Sequence, residues 1–243
     1  MGSTGKSTTV NSGIFSVIMP DGTNISLSEE LVYGADKGRS QLPQNVIDFE
    51  NKRKPAKIEY ILLTDADGNE IESRKGGKNG VKSTLRANSQ ATIATHNHPR
   101  SKTEAGALGG TFSVQDLDNF ATFSNQKTLR AVAGEGTYSI TKVPGQFSRS
   151  LVRAYNDYGR EIYKELKITT DAAYRAYRNI SDTAYNDWRN NRISRDQMND
   201  LSSKAYAEYE KTAKKVFNTE LTRKHNWLID NQKTYGYTYG LER

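Results

Sequence analysis

The chain contains no cysteine among its 243 residues. Disulfide cross-links, thiolate metal sites and a cysteine nucleophile are thereby excluded. Proline is scarce, at five residues, and histidine scarcer still, at three. No apolar run approaches the ~20 residues needed to cross a bilayer, and residues 1–11 are rich in Ser, Thr and Gly without a hydrophobic signal core. These absences lead us to expect a soluble, cytoplasmic protein with no membrane partner. Hydrophobic residues make up 35% of the chain and charged residues 26%, a composition that supports a real but modest core.

What is present is unevenly distributed. Three of the 14 tyrosines (Tyr33, Tyr60, Tyr138) precede Gln146 and eleven follow it. Residues 1–145 carry a net charge of +2 and residues 146–243 a net of +5. The shift falls at Val143-Pro144-Gly145, a turn signal. The chain therefore divides into a flexible start over 1–13, a mixed α/β part over 14–145 and a tyrosine-rich helical part over 146–243, an α+β organisation.

In the first part, Ile14 to Met19 and Ile58 to Thr64 have strand length and strand composition, and Pro20-Asp21-Gly22 reads as a turn. Asp67-Gly68 is a hairpin signal with Glu70 to Arg74 as the returning strand. Gln44 to Lys52 and Ser113 to Ser124 have helical character, Ala91 to Thr95 is a short apolar segment, and Leu129 to Val143 is a second hairpin around Gly134-Glu135-Gly136. In the second part, Leu151, Tyr155, Tyr158 and Ile162 mark one helix to about Leu166. Tyr174, Tyr177, Ala184 and Trp188 mark another, and Ser194 with Gln197 forms a capping box that opens a third. A three-helix bundle follows from this spacing. The tyrosines can be core and interface residues. The alternating arginines and tyrosines of Tyr174-Arg175-Ala176-Tyr177-Arg178 also suit stacking on nucleic acid, though +5 is mild for that role. The tail Tyr235 to Gly240 is expected to be disordered or docked on another chain, and His225 to be a surface or partly packed residue.

The histidines carry the sharpest signal. His96 and His98 stand two apart in Thr95-His96-Asn97-His98-Pro99, so on extended backbone both imidazoles point to one face. Asp116, three residues after the helix-capping candidate Ser113, offers a third ligand. Two histidines, one carboxylate and an open position make a catalytic zinc layout, which can generate hydroxide near neutral pH and polarise a carbonyl.

Together, H-N-H-P followed by F-S-x-x-D resembles the JAMM/MPN metalloprotease motif, nearest to the JAB domains of bacterial, phage and RadC type. The resemblance spans roughly residues 57–142. It implies a JAB/MPN-like fold and Zn2+ held by His96, His98 and Asp116. It further implies Ser113 as the oxyanion donor and Glu59, at the head of an apolar strand, as general base toward the water on the metal. Glu70 and Glu72 are alternatives for the base. The implied activity is that of an isopeptidase or peptidase, in which zinc-bound water attacks a peptide or isopeptide carbonyl of a protein substrate. The segment between His98 and Ser113 holds 14 residues, more than is usual in the family, and reads as an inserted loop. Ser101 with Glu104 gives a rival S-x-x-E inside it. JAB domains of this appearance also resemble those attached to phage head-morphogenesis and mobile-element proteins. The alternative is thus a non-catalytic scaffold whose basic helical region binds a partner or nucleic acid.

Overall fold

The computed structural model describes residues 14–18, 24–28, 41–78, 80–99 and 110–242, with backbone alone for the first two ranges. The flexible start, the Pro20-Asp21-Gly22 turn, Ser101 and Glu104 lie outside the described residues. Strands β1 (Ile14–Ile18) and β2 (Asn24–Ser28) pair antiparallel as a separate ribbon. The main sheet contains β3 (Tyr60–Thr64), β4 (Glu70–Lys75), β5 (Ile93–Asn97), β6 (Thr128–Val132), β7 (Thr137–Lys142) and β8 (Tyr237–Glu242), in the order β4-β3-β5-β6-β7-β8. Its helices are α1 (Gln44–Arg53), α2 (Leu85–Gln90), α3 (Val114–Thr122), α4 (Ser150–Arg189), α5 (Arg195–Asp230) and α6 (Gln232–Tyr235). The fold is α+β, with a mixed six-stranded sheet and a C-terminal helical region.

Local chemistry explains most of these elements. Between β3 and β4, the Asp65 carboxylate accepts hydrogen bonds from the amides of Asp67 and Asn69, and Gly68 takes φ +90°. That is the turn expected from Asp67-Gly68. All neighbouring strands are antiparallel except β5 and β6. A parallel pair needs a crossover connection, and this one carries α3. The helix therefore starts at the C-terminal end of β5, where the two histidines are.

Strand alternation sorts the core into two layers. Leu63, Ala94, Leu129, Ala131 and Ile140 face Leu117 and Phe120 of α3 and the bases of α4 and α5 at Leu151, Tyr155 and Leu228. Leu62 and Ile93 face Val46 and Phe49 of α1 on the other side. On that second side Arg130 is buried between two carboxylates. It donates to Glu50 at 3.2 Å and to Glu242 at 2.8 Å. This network ties α1, β6 and β8 together.

The C-terminal region departs from expectation in three respects. Its long helices number two, not three: α4 runs unbroken for 40 residues and α5 for 36, with α6 only a four-residue turn. Gly159, in the first half of α4, packs against the Lys224 side chain without ending the helix. The tail is not loose. Tyr237 and Tyr239 are buried, and β8 pairs with β7 along its whole length, from Thr137↔Glu242 to Lys142↔Tyr237. His225 is buried as well, in edge and tilted contact with the rings of Tyr138 and Tyr239. Its position on α5 faces the sheet because α5 returns to the sheet to deliver β8. Among the described residues no helix is long and apolar enough to cross a membrane.

Candidate metal centre

His96 is the fourth residue of β5, and His98 follows the strand's end. Their Nε2 atoms approach to 3.0 Å. Asp116 stands at the third position of α3, where the capping box fixes it. Its backbone amide donates to Ser113 Oγ, and its Oδ2 accepts from the Ser113 amide at 2.8 Å and hydroxyl at 2.7 Å. Asp116 Oδ1 then lies 3.5 Å from His96 Nε2, and Oδ2 lies 3.8 Å from His98 Nε2. The three groups expected from sequence are thus brought together, with ligand atoms all within 4.8 Å of one another.

The donor set fits a metal ion. In a tetrahedral zinc site with bonds near 2.0–2.1 Å, ligand atoms stand roughly 3.4 Å apart. The two Nε2 atoms stand 3.0 Å apart and Asp116 Oδ1 stands 3.5 Å from His96 Nε2, both near that value, while the 3.8 Å approach to His98 is made by the other carboxylate oxygen. His98 and Asp116 are also oriented from behind, as metal ligands are. His98 Nδ1 lies 3.0 Å from the Gly110 carbonyl; as the donor there, it turns the Nε2 lone pair toward His96 and Asp116. Burial pushes the Asp116 carboxyl up, but His96 and then His98 outweigh it and hold the group well below the usual carboxylate range. For His98, burial acts downward and is outweighed by Asp116, which raises it.

Gly110 is held by three separate elements. Its amide donates to Glu135 Oε1 at 2.9 Å, and that oxygen also accepts from the Tyr138 hydroxyl. Its φ is +82°, and a Cβ there would fall 2.9 Å from Leu221 of α5. The next two residues are fixed from the C-terminal region. Thr111 pairs with the Tyr239 hydroxyl at 2.7 Å, which in turn meets His225 Nδ1 at 2.7 Å, and Tyr155 donates to the Phe112 carbonyl at 2.8 Å. Sequence reasoning missed Glu135, Tyr155, Tyr239 and Gly110. Only Gly110 left a signal, since glycine just before a helix cap can mark a positive φ.

Glu59 comes next to the triad through strand pairing. Ile61 is opposite His96, and Glu59, two residues earlier on the same side of the strand, lines one cavity with His96 and Asp116. Asn97 bridges the gap, accepting from the Tyr60 amide and donating to the Ile58 carbonyl. Burial raises the Glu59 carboxyl; His96 and His98 oppose this, and Asp116 adds to it. A cavity of about 380 Å³ opens here, lined by Glu59, His96 and Asp116 and by apolar side chains that include Val81, Leu85 and Phe123. Ser113 does not line it. Neither do the alternatives Glu70 and Glu72, and the Glu72 carboxylate is taken up by the amide and hydroxyl of Thr84 and by Arg74. Compared with known proteins, the chain matches no family model, no curated protein and no solved structure.

Proposed function

We propose that this protein is a zinc-dependent amide hydrolase of JAMM type, cleaving peptide or isopeptide bonds, on a JAB/MPN-like sheet. The observation that carries this reading is the convergence of His96, His98 and Asp116, with a half-buried Glu59 lining the same cavity as His96 and Asp116. A zinc ion held there supplies Lewis acidity, acidifying water and polarising a carbonyl.

Glu59 takes the proton from the attacking water and delivers it to the leaving nitrogen as the C–N bond breaks. Burial helps this role, because a carboxyl raised toward neutrality holds the transferred proton better. Ser113, at the cap of α3 beside the cavity rather than in its lining, has the oxyanion role that the resemblance implies. Its amide and hydroxyl both bond Asp116 Oδ2, so the hydroxyl can turn to the developing oxyanion while the amide keeps Asp116 in place. One such donor is worth about 2.7–4 kcal/mol in other enzymes. The apolar side of the cavity accommodates an uncharged substrate group next to the scissile bond.

The test is zinc content and hydrolysis of a fluorogenic peptide-amide panel. Wild type is expected to hold one zinc per chain, His96→Ala to lose it, and Glu59→Gln to keep zinc while losing cleavage. Wild-type protein without stoichiometric zinc would overturn the proposal; cleavage by Glu59→Gln would overturn the base assignment.

A further inference from the structure

From Leu151 onward, α4 repeats every eleven residues. One column reads Leu151, Ile162, Ala173, Ala184 and the next Val152, Tyr163, Tyr174, Tyr185. Eleven residues make three turns, so each column stays on one face of the helix. The first column is the seam against α5, buried at Leu151, Ile162 and Ala184. The second emerges beside it, with Tyr163 56%, Tyr174 48% and Tyr185 48% exposed. Helix α5 has the same offset. Tyr206 follows Ala205 and Phe217 follows Val216, and these two rings are 45% and 40% exposed. In an antiparallel pair, equal offsets from the seam come out on the same side.

Ring contacts fix the register of the pair. Tyr174 meets Tyr209 at 5.6 Å, Tyr177 meets Tyr206 at 5.5 Å, and Ser181 bonds Ser202. The exposed rings therefore follow one another along the arm as Tyr163, Phe217, Tyr174, Tyr206, Tyr185, over about 33 Å at 1.5 Å per residue. Beneath them, between Tyr163 and Phe217, only Ala184 and Ala205 are buried. The outer arm has an aromatic stripe and almost no core of its own.

We propose that this stripe is the interface of a homodimer, in which the arms of two copies pack face to face and antiparallel as a four-helix bundle. A two-fold axis at Tyr174 sets Tyr163 of one copy over Tyr185 of the other and brings α4 over its counterpart. The charges beside the stripe then complement each other. Within one arm, Lys167 pairs with Asp171 and Arg178 with Asp182. Turned about Tyr174, Lys167 comes level with Asp182 of the second copy, and Asp171 with Arg178. The size is adequate too. Five half-exposed rings leave roughly 500 Å² of aromatic surface per arm, so two arms with their flanking side-chain stems reach about the 1,200 Å² at which specific interfaces begin. A nucleic acid fits the stripe less well, because these cations already face carboxylates of their own helix.

The test uses the full chain and does not depend on the metal. In sedimentation velocity, wild type is expected to form a dimer, and Tyr174→Ser with Tyr185→Ser to weaken association by roughly thirtyfold or more, with helical circular dichroism retained. Because the chain has no cysteine, Tyr174→Cys supplies a lone thiol next to the axis, and mild oxidation should link two chains. Ile180→Cys, an exposed position off the stripe, should not link. Three results would each overturn the proposal: a monomeric wild type up to roughly 100 µM, a dimer indifferent to the tyrosine substitutions, or a monomer that binds single-stranded RNA through the same tyrosines.

Discussion

Lowering the pH from 7 to 4 should destabilise this protein through His225. The ring is buried against Tyr138 and Tyr239, its Nδ1 is 2.7 Å from the Tyr239 hydroxyl, and its Nε2 has no hydrogen-bond partner among the described residues. Burial pushes its pKa down to about 4, against about 6.5 in the unfolded chain. Between those values the unfolded state binds a proton that the native state refuses, so stability falls as pH falls. The loss should reach about 2 kcal/mol by pH 5 and about 3 kcal/mol by pH 4, then level off. Urea unfolding of wild type and His225→Leu, measured across this range, isolates the effect, because the other titrating groups cancel in the difference. At pH 7 the variant should be less stable by about 1 kcal/mol for the lost Tyr239 bond. The wild-type advantage should vanish and then reverse on acidification, with unchanged denaturant slopes. A difference that stays flat from pH 7 to pH 4 would show that His225 is not held neutral, and the reasoning would fail. The affected structure includes Tyr239 and Thr111, so acid should loosen the segment behind the candidate metal site.

Two further perturbations probe how the site is supported. Arg130→Met leaves the carboxylates of Glu50 and Glu242 buried without their cation. The expected loss is about 3–5 kcal/mol in chemical denaturation, and a loss under ~1 kcal/mol would mean the network is not buried as described. Glu135→Ala removes the acceptor of both Gly110 and Tyr138. It should weaken zinc binding by about 10–100-fold in calorimetric titration, with Glu135→Gln restoring most of it; equal zinc affinity in both variants and wild type would refute that support.

Local order was legible wherever neighbouring residues decide it. The Asp67-Gly68 hairpin, the helix capped by Ser113 and the side-by-side aim of His96 and His98 all follow from short-range rules, and each appears within a residue or two of its expected position. The break between two helices near Leu166 did not, because Leu166 belongs to an eleven-residue repeat that continues through it. That period is visible only when the residues from Leu151 to Trp188 are set out in elevens.

The remaining features concern contacts between distant segments. His225 looks like a surface residue in isolation, and becomes buried because α5 comes back to the sheet. Tyr235 to Gly240 reads in isolation as a tail that is disordered or docked on another chain, but β7 offers a sheet edge and residues 237–242 pair with it. Glu59 stands ahead of Glu70 and Glu72 only by resemblance until the pairing of β3 with β5 brings it to the cavity that His96 and Asp116 line. The donor types and their spacing follow from local rules, because an extended strand and a capped helix have fixed periods. Which glutamate shares their cavity, and what holds Gly110 behind them, comes from long-range packing, because pairing register and helix return are set by burial summed over distant segments.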